Sequence, residues 1–308
     1  MSRQHIFSGA KWETKVSYSR AVRVGRQVFV SGTTAVDARG RVVGGGDVCA
    51  QVRRIFEIIA DALTEAGACL EDVVRTRIFI TDIADAEAVG QAHGEVFGQV
   101  RPAATLVEVS RLIDPALLVE IEADAIVGSG GADAVILAGG KAKRMGRDKS
   151  RIRLGRRTLL GHVRAAVADA GFKPRVVTTD SQPGLGPLGG IATAIRSTRH
   201  SRVLFLGCDM PFLSGDLIDE FLAVAADGIG PIFTCYKKGV GLPFVLYRHD
   251  LDLVGKQIDR SELSLQQLAK RLKARTWSPP PGRLPELFNI NTPADLAEAR
   301  RRLTKEGC

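Results

Sequence analysis

The stretch "IVGSGGADAVILAGGKAKRMGRDK", residues 126–149, decides how this chain is organised. It opens on the end of one apolar run, passes through Gly128, Ser129, Gly130 and Gly131, and enters a second apolar run at residues 134–137. Four small residues between two strand-like runs make a short flexible hinge, so two domains are expected, 1–127 and 132–308. The second run gives way at once to Gly139 and Gly140 and to five cations, Lys141, Lys143, Arg144, Arg147 and Lys149. Glycines let backbone N–H groups approach an anion closely, and the side chains add formal charge. A close cation–phosphate pair gains roughly 4 kcal/mol at an effective dielectric near 20, before desolvation. The loop is neither a Walker A motif, which would close on Gly-Lys-Ser/Thr, nor a G-x-G-x-x-G dinucleotide turn.

The two sides of the hinge differ in rhythm. Before it, "RAVRVGRQVFVSG" (20–32) alternates and breaks at Gly25, a hairpin pattern. Val48, Val52, Ile55, Phe56, Ile59 and Leu63 form one helical stripe that Gly67 terminates. "VVRTRIFI" (73–80) reads as a strand, and in "VEIEADAIV" (119–127) Val119, Ile121 and Ala123 alternate with Glu120, Glu122 and Asp124. These elements predict an antiparallel or mixed sheet covered on one face by helices, an α+β arrangement. After the hinge, strands at 134–137, 175–179, 202–207 and 231–236 alternate with helical patterns at 159–171, 188–198 and 215–227. The strands lack strong polar alternation, as strands covered on both faces do. This predicts doubly wound α/β, in which ligands bind at the carboxyl ends of the strands.

Composition narrows the partners. The 308 residues are 45% apolar and 25% charged, enough for two cores. The net charge of +9 favours anionic partners. The cations are scattered, though, and aromatics make up only 6%, so no stacking platform for single-stranded nucleic acid is expected. Arg300, Arg301, Arg302 and Lys305 fall in the last turns of a helix, where cations complement the dipole. Five isolated cysteines without metal-ligand spacing fit a reducing cytoplasm. No apolar run reaches membrane-spanning length, and no signal pattern opens the chain.

In sequence order, "LAGGKAKRMGRDK" (137–149), "GPLGGIATAI" (186–195), "LGCDMPFL" (206–213) and "FNINTPADL" (288–296) resemble the molybdenum cofactor guanylyltransferase family over residues 132–303. The resemblance implies a Rossmann-like nucleotidyltransferase domain that transfers GMP from GTP to the terminal phosphate of molybdopterin. It places Leu137, Ala138, Gly139 and Gly140 along the nucleotide, Arg144 and Lys149 on the phosphates, and Asp180 as a second polar contact. Asp209 follows an apolar strand and would hold Mg²⁺, which prefers carboxylate, water and phosphate oxygens. Such chemistry needs positioning and charge neutralisation rather than a covalent nucleophile. Thr292, Pro293 and Asp295 make a well-specified helix start, and the resemblance puts Asn289 and Asn291 on the pterin side. In one departure, residues 149–180 have room for a single strand and contain no asparagine, where the family carries a base-contacting one. This keeps open a CTP- or sugar-phosphate-using transferase, and also a non-enzymatic binding or assembly protein.

Residues 15–127 resemble the reactive intermediate deaminase family, with its chorismate mutase-like fold, through "YSRAVRVGRQVFVSGTTAV" (18–36), "VVRTRIFITDIADAEAV" (73–89), "RPAATLVEV" (101–109) and "LLVEIEADAIV" (117–127). The resemblance implies a homotrimer with clefts between subunits, and Tyr18 and Glu120 match cleft positions. Active members clamp the substrate carboxylate with an arginine where this chain has Ala104, and a methyl group cannot make that contact. Arg101 is expected on a strand, facing away. A ligand-binding or trimerising module without deamination is therefore expected.

Overall fold

In the computed structural model, which describes residues 3–138, 148–178, 185–198 and 200–306, Gly128 and Gly131 both take left-handed φ values, 94° and 76°. The chain on either side of them belongs to different units. The first comprises Met1–Gly131 with Ala226–Ile229, the second Ala132–Ala225 with Gly230–Cys308.

In the first unit the elements run β1 (Arg3–Ile6), α1 (Lys11–Val16), β2 (Ala21–Val24), β3 (Gln27–Thr34), α2 (Val48–Glu65), β4 (Val73–Ile80), α3 (Ala86–Phe97), β5 (Ala103–Glu108) and β6 (Val119–Ile126). The six strands form one mixed sheet, β1-β2-β3-β6-β4-β5, in which only the β4–β5 pair is parallel. Gly25, at φ 59°, turns the hairpin read from the sequence. Asp47 accepts from the Ala50 N–H and caps α2. The stripe Val52, Ile55, Phe56, Ile59 and Leu63 then packs with Val89 and Phe97 of α3 against Val28, Val30, Ile78, Ile80, Ile121 and Ala123. Each large apolar side chain buried this way contributes about 1.5–3 kcal/mol. Arg101 does not lie on a strand; it precedes β5 at φ 52° and is exposed.

In the second unit come β7 (Asp133–Leu137), β8 (Arg153–Leu154), β9 (Arg157–Thr158), α4 (Leu159–Asp169), β10 (Arg175–Val177), α5 (Gly186–Arg196), β11 (Arg202–Gly207), α6 (Gly215–Asp227), β12 (Ile232–Tyr236), β13 (Gly239–Tyr247), α7 (Leu251–Asp259), α8 (Leu265–Arg271), β14 (Arg275–Trp277) and α9 (Pro293–Glu306). The main sheet runs β10-β7-β11-β13-β12-β14. Its strands serve two cores. Ala134, Ile136, Leu204 and Leu206 face α4 and α6, while Val135, Val203 and Phe205 face α5, α7 and α8. This is the doubly wound arrangement expected from uniformly apolar strands. One strand departs from it. β13 lies antiparallel between β11 and β12, and its Gly239, Gly241 and Pro243 hide it from a reading by apolar run. A third, smaller cluster of Ile152, Leu154, Leu159, Ile290, Leu296 and Ala299 ties the β8–β9 hairpin to α9.

Candidate active site

β7 and β11 run parallel with Leu137 opposite Gly207, so both end at the same sheet edge. The chain leaving β11 is held there by the Cys208 N–H donating to the Leu137 carbonyl at 3.2 Å. On the other side of β7, the Ala138 N–H donates to the Val177 carbonyl at 2.9 Å. Leu137 and Ala138 are half-buried at this edge, and Asp209 stands two residues beyond Gly207. Gly139, Gly140, Arg144 and Asp180 lie outside the described residues.

Lys149 reaches the same edge from a short 3₁₀ turn, Lys149–Arg151, that Asp148 caps by accepting from the Ser150 N–H. The Lys149 ammonium donates to Asp209 Oδ2 at 3.0 Å and to Asn291 Oδ1 at 2.7 Å. About a fifth of each side chain of the Lys149–Asp209 pair is exposed, so the pair is accessible but partly desolvated. Asn291 is fixed from behind. Asp295 accepts from the Asn291 and Thr292 N–H groups, both at 2.8 Å, and Thr292 Oγ1 accepts from the Asp295 N–H at 3.2 Å. This reciprocal cap starts α9 and aims Asn291 outward. The Ile290 N–H donates to the Asp209 carbonyl at 2.9 Å, docking the whole Asn-Ile-Asn segment on the strand end. Asn291 thus meets the lysine assigned to the phosphates, and Asn289 hydrogen-bonds to Tyr236.

Three features here escape sequence reading. Gly207 leaves room for the acid, since a Cβ at this position would stand 2.7 Å from Asp209 Oδ1. Tyr236, at the end of β12, donates to the Leu242 carbonyl; burial pushes its phenol up, and the neighbouring Asp209 pushes the same way, so it stays neutral. Burial and Asp209 also push the Cys208 thiol up to about 12, so it carries no thiolate for nucleophilic work. The glycine stands inside "LGCDMPFL" without any residue type to mark its role, and the tyrosine comes from a strand distant in sequence.

A divalent ion of the Mg²⁺ type needs one or two carboxylates, with water and phosphate oxygens completing its shell. Asp209, partly exposed at a strand end with glycine-made space beside it, fits that donor requirement. Among the described residues no group of three or more His, Cys, Asp or Glu is placed to hold a metal by itself.

In the first unit, Tyr18 and Glu120 gather around Arg20. The buried guanidinium donates to the Gly32 carbonyl at 3.1 Å, to Thr33 Oγ1 at 2.9 Å and to the Tyr18 hydroxyl at 3.0 Å. Glu120 lies over Gly32 so closely that a Cβ there would meet Oε1 at 2.1 Å. Burial raises the Glu120 carboxyl above its ordinary value, Glu122 adds repulsion, and Arg20 opposes both. Ala104 is exposed on β5, opposite Thr76 of β4.

Comparison with known proteins divides along the same line. Residues 9–127 match the family described as Endoribonuclease L-PSP, and residues 134–275 match the MobA-like NTP transferase domain. An uncharacterized protein of Streptomyces coelicolor is 38% identical over 41% of this chain and 93% of its own length. A RutC family protein of Pyrococcus abyssi is 36% identical over 40% of this chain and 96% of its own. The 3-aminoacrylate deaminase RutC of Acinetobacter baylyi is 39% identical over 34% and 82%. A solved structure from Mycobacterium tuberculosis, a member of the YjgF/YER057c/UK114 family, is 50% identical over 41% of this chain and all of its own, with a TM-score of 0.38. Through its N-terminal unit the chain belongs to the RutC family, and a MobA-like NTP transferase domain follows that unit.

Proposed function

We propose that the second unit transfers GMP from GTP to the terminal phosphate of molybdopterin, with Mg²⁺ as cofactor, in the cytoplasm. The observation that carries this reading is the Lys149–Asp209–Asn291 constellation at the shared end of β7 and β11, inside a domain of nucleotidyltransferase type. A phosphate oxygen of the acceptor bonds to the α-phosphorus, the bond from that phosphorus to the bridging oxygen breaks, and pyrophosphate leaves with the electron pair. The attacking oxygen is already anionic, so no general base is required, and the neutral Cys208 and Tyr236 are spared that role. The chain's work is to position and to neutralise. Lys149, released from Asp209 by an incoming phosphate, supplies a cation to the triphosphate, and Asn291 orients its ammonium. Gly139, Gly140, Arg144 and Asp180 complete the nucleotide side, and Asn289 stands toward the pterin. Asp209 would hold Mg²⁺, which would offset the charge that develops on the transferred phosphate.

Turnover of GTP with molybdopterin, read as pyrophosphate release, tests the proposal. Lys149→Ala and Asp209→Ala should each lower kcat by a factor on the order of 10²–10³. Undiminished turnover in both variants removes these residues from the mechanism. A second reading, a CTP- or sugar-phosphate-using transferase, is favoured by β10 being the only described strand between α4 and α5. Thermal shifts with GTP, CTP and UTP separate the two.

For the first unit we propose a ligand-binding, trimerising module without deamination, because Ala104 offers no cation to a substrate carboxylate. Nucleic acid and membrane have no part in this reading; among the described residues no helix is long and apolar enough to cross a membrane.

A further inference from the structure

The stretch after Lys149, "SRIRLGRRT", alternates in burial. Ile152 and Leu154 point inward against Leu296 and Ala299 of α9, while Arg151 and Arg153 point outward. Arg300, next to Ala299, emerges on the same side, and the result is a cavity of about 310 Å³ lined by Asp148, Arg151, Ile152, Arg153 and Arg300. Three arginines thus line one space with a single aspartate. Among the described residues Asp148 pairs with Arg151 alone, at 3.4 Å in an exposed pair, and its Oδ1 is committed to the Ser150 N–H and hydroxyl. Among the described residues Arg153 and Arg300 make no ion pair. Like charges brought together without counter-charge repel, and a planar guanidinium suits phosphate oxygens better than an ammonium does.

The cavity is joined to the candidate nucleotide site through the turn that carries Lys149, and Lys149 is not among its lining residues. Asp148 and Arg151 flank Lys149 on one short turn, but Lys149 itself is turned to Asp209 and Asn291. Two neighbouring anion positions are what the joining of two phosphates demands, because an anionic oxygen must approach an already anionic triphosphate. We propose that this arginine-lined cavity binds the phosphate monoester of the acceptor substrate. The assignment to the acceptor rests on the nucleotidyl-transfer reading; the anion site itself does not.

The test titrates the full chain with inorganic phosphate and with methanesulfonate by calorimetry, and separately with GTP and Mg²⁺. Phosphate should bind more tightly than the singly charged methanesulfonate. Arg153→Gln combined with Arg300→Gln should weaken phosphate at least tenfold and leave GTP affinity unchanged. Arg156→Gln, an exposed turn arginine outside the cavity lining, should leave phosphate binding as it is. All substituted residues are exposed, and thermal melts check that the variants fold. Equal binding of the two anions, an equal loss in Arg156→Gln, or wild-type phosphate affinity in the double variant overturns the site. Phosphate binding that survives while GTP fails to bind the wild-type chain supports the anion site and overturns the nucleotidyl-transfer reading.

Discussion

At Gly207 a single methyl group decides where a carboxylate can stand. The Cβ of alanine would come within 2.7 Å of Asp209 Oδ1 and 3.2 Å of Leu242 Cδ1. Both neighbours are side-chain ends that can yield, so Gly207→Ala should cost little in thermal stability. The carboxylate must move, however, and with it the partner of Lys149. A fall in kcat of about tenfold or more with a melting temperature within a few degrees of wild type is expected; calorimetry beside steady-state kinetics checks it. In the first unit, the raised Glu120 carboxyl makes a pH prediction. A group whose folded pKa lies above its ordinary value of 4.5 binds more protons when folded, so stability falls as pH rises through that window. Glu120→Gln removes the penalty, and its advantage in melting temperature should grow as pH rises from about 4 and then level off. Lys149 and Asp209 were legible in the sequence because each sits in a short motif that follows an apolar strand, Asp209 directly and Lys149 through a glycine- and cation-rich loop. Tyr236 was not, because its place beside Asp209 depends on a strand distant in sequence, and Gly207 was not, because its role depends on how the Asp209 side chain folds back over it.

Among the elements, α9 matters through its first turn. Burial tends to raise the Asp295 carboxyl, but the bonds from Asn291 and Thr292 and the charge of Lys149 outweigh it and hold the group below its ordinary value. The stability this gives is present above the ordinary aspartate value of 3.8 and is lost as pH falls through the lowered folded value. Asp295→Ala should cost roughly 1 kcal/mol in denaturant titrations at neutral pH. It should also loosen Asn291 and raise the KM for nucleotide more than it lowers kcat. A variant with unchanged KM would show that the cap serves the helix alone. The same helix start was readable from Thr292, Pro293 and Asp295, since capping is a local matter. β2, β3, β4, β6 and the stripe of α2 were readable for the same reason, as their periodicity is in the chain. β1 and α1 were missed because both are very short; around β5 a strand was expected, but it begins at Ala103 and leaves Arg101 outside. β13 was missed because glycines and a proline interrupt it where it pairs on both sides with other strands.

For the molecule as a whole, the sheet of the first unit raises the question of what covers its second face. The helices α2 and α3 fill one side, while the other side presents Phe29 at 45% exposure, Val107 at 41% and Ile126 at 37%. Cross-strand pairing puts these on a common face. Phe29 stands opposite Asp124, two residues from Ile126, and Phe79 stands beside Val107. Arg77 spans Glu122 and Asp124 in the middle of that face, at 3.3 and 3.0 Å, so its own charge is already paired within the chain. A sheet face with exposed apolar side chains, whose central arginine is already paired, suits self-association. On the proposal of a homotrimer, light scattering should give three chain masses across a range of salt, because apolar burial is little screened. Val107→Asp introduces a charge onto the edge strand and should shift the mass toward one chain while leaving the second unit's GTP affinity unchanged. A single chain mass for the wild-type protein at micromolar concentration would refute the trimer, and the first unit would then keep only its binding role.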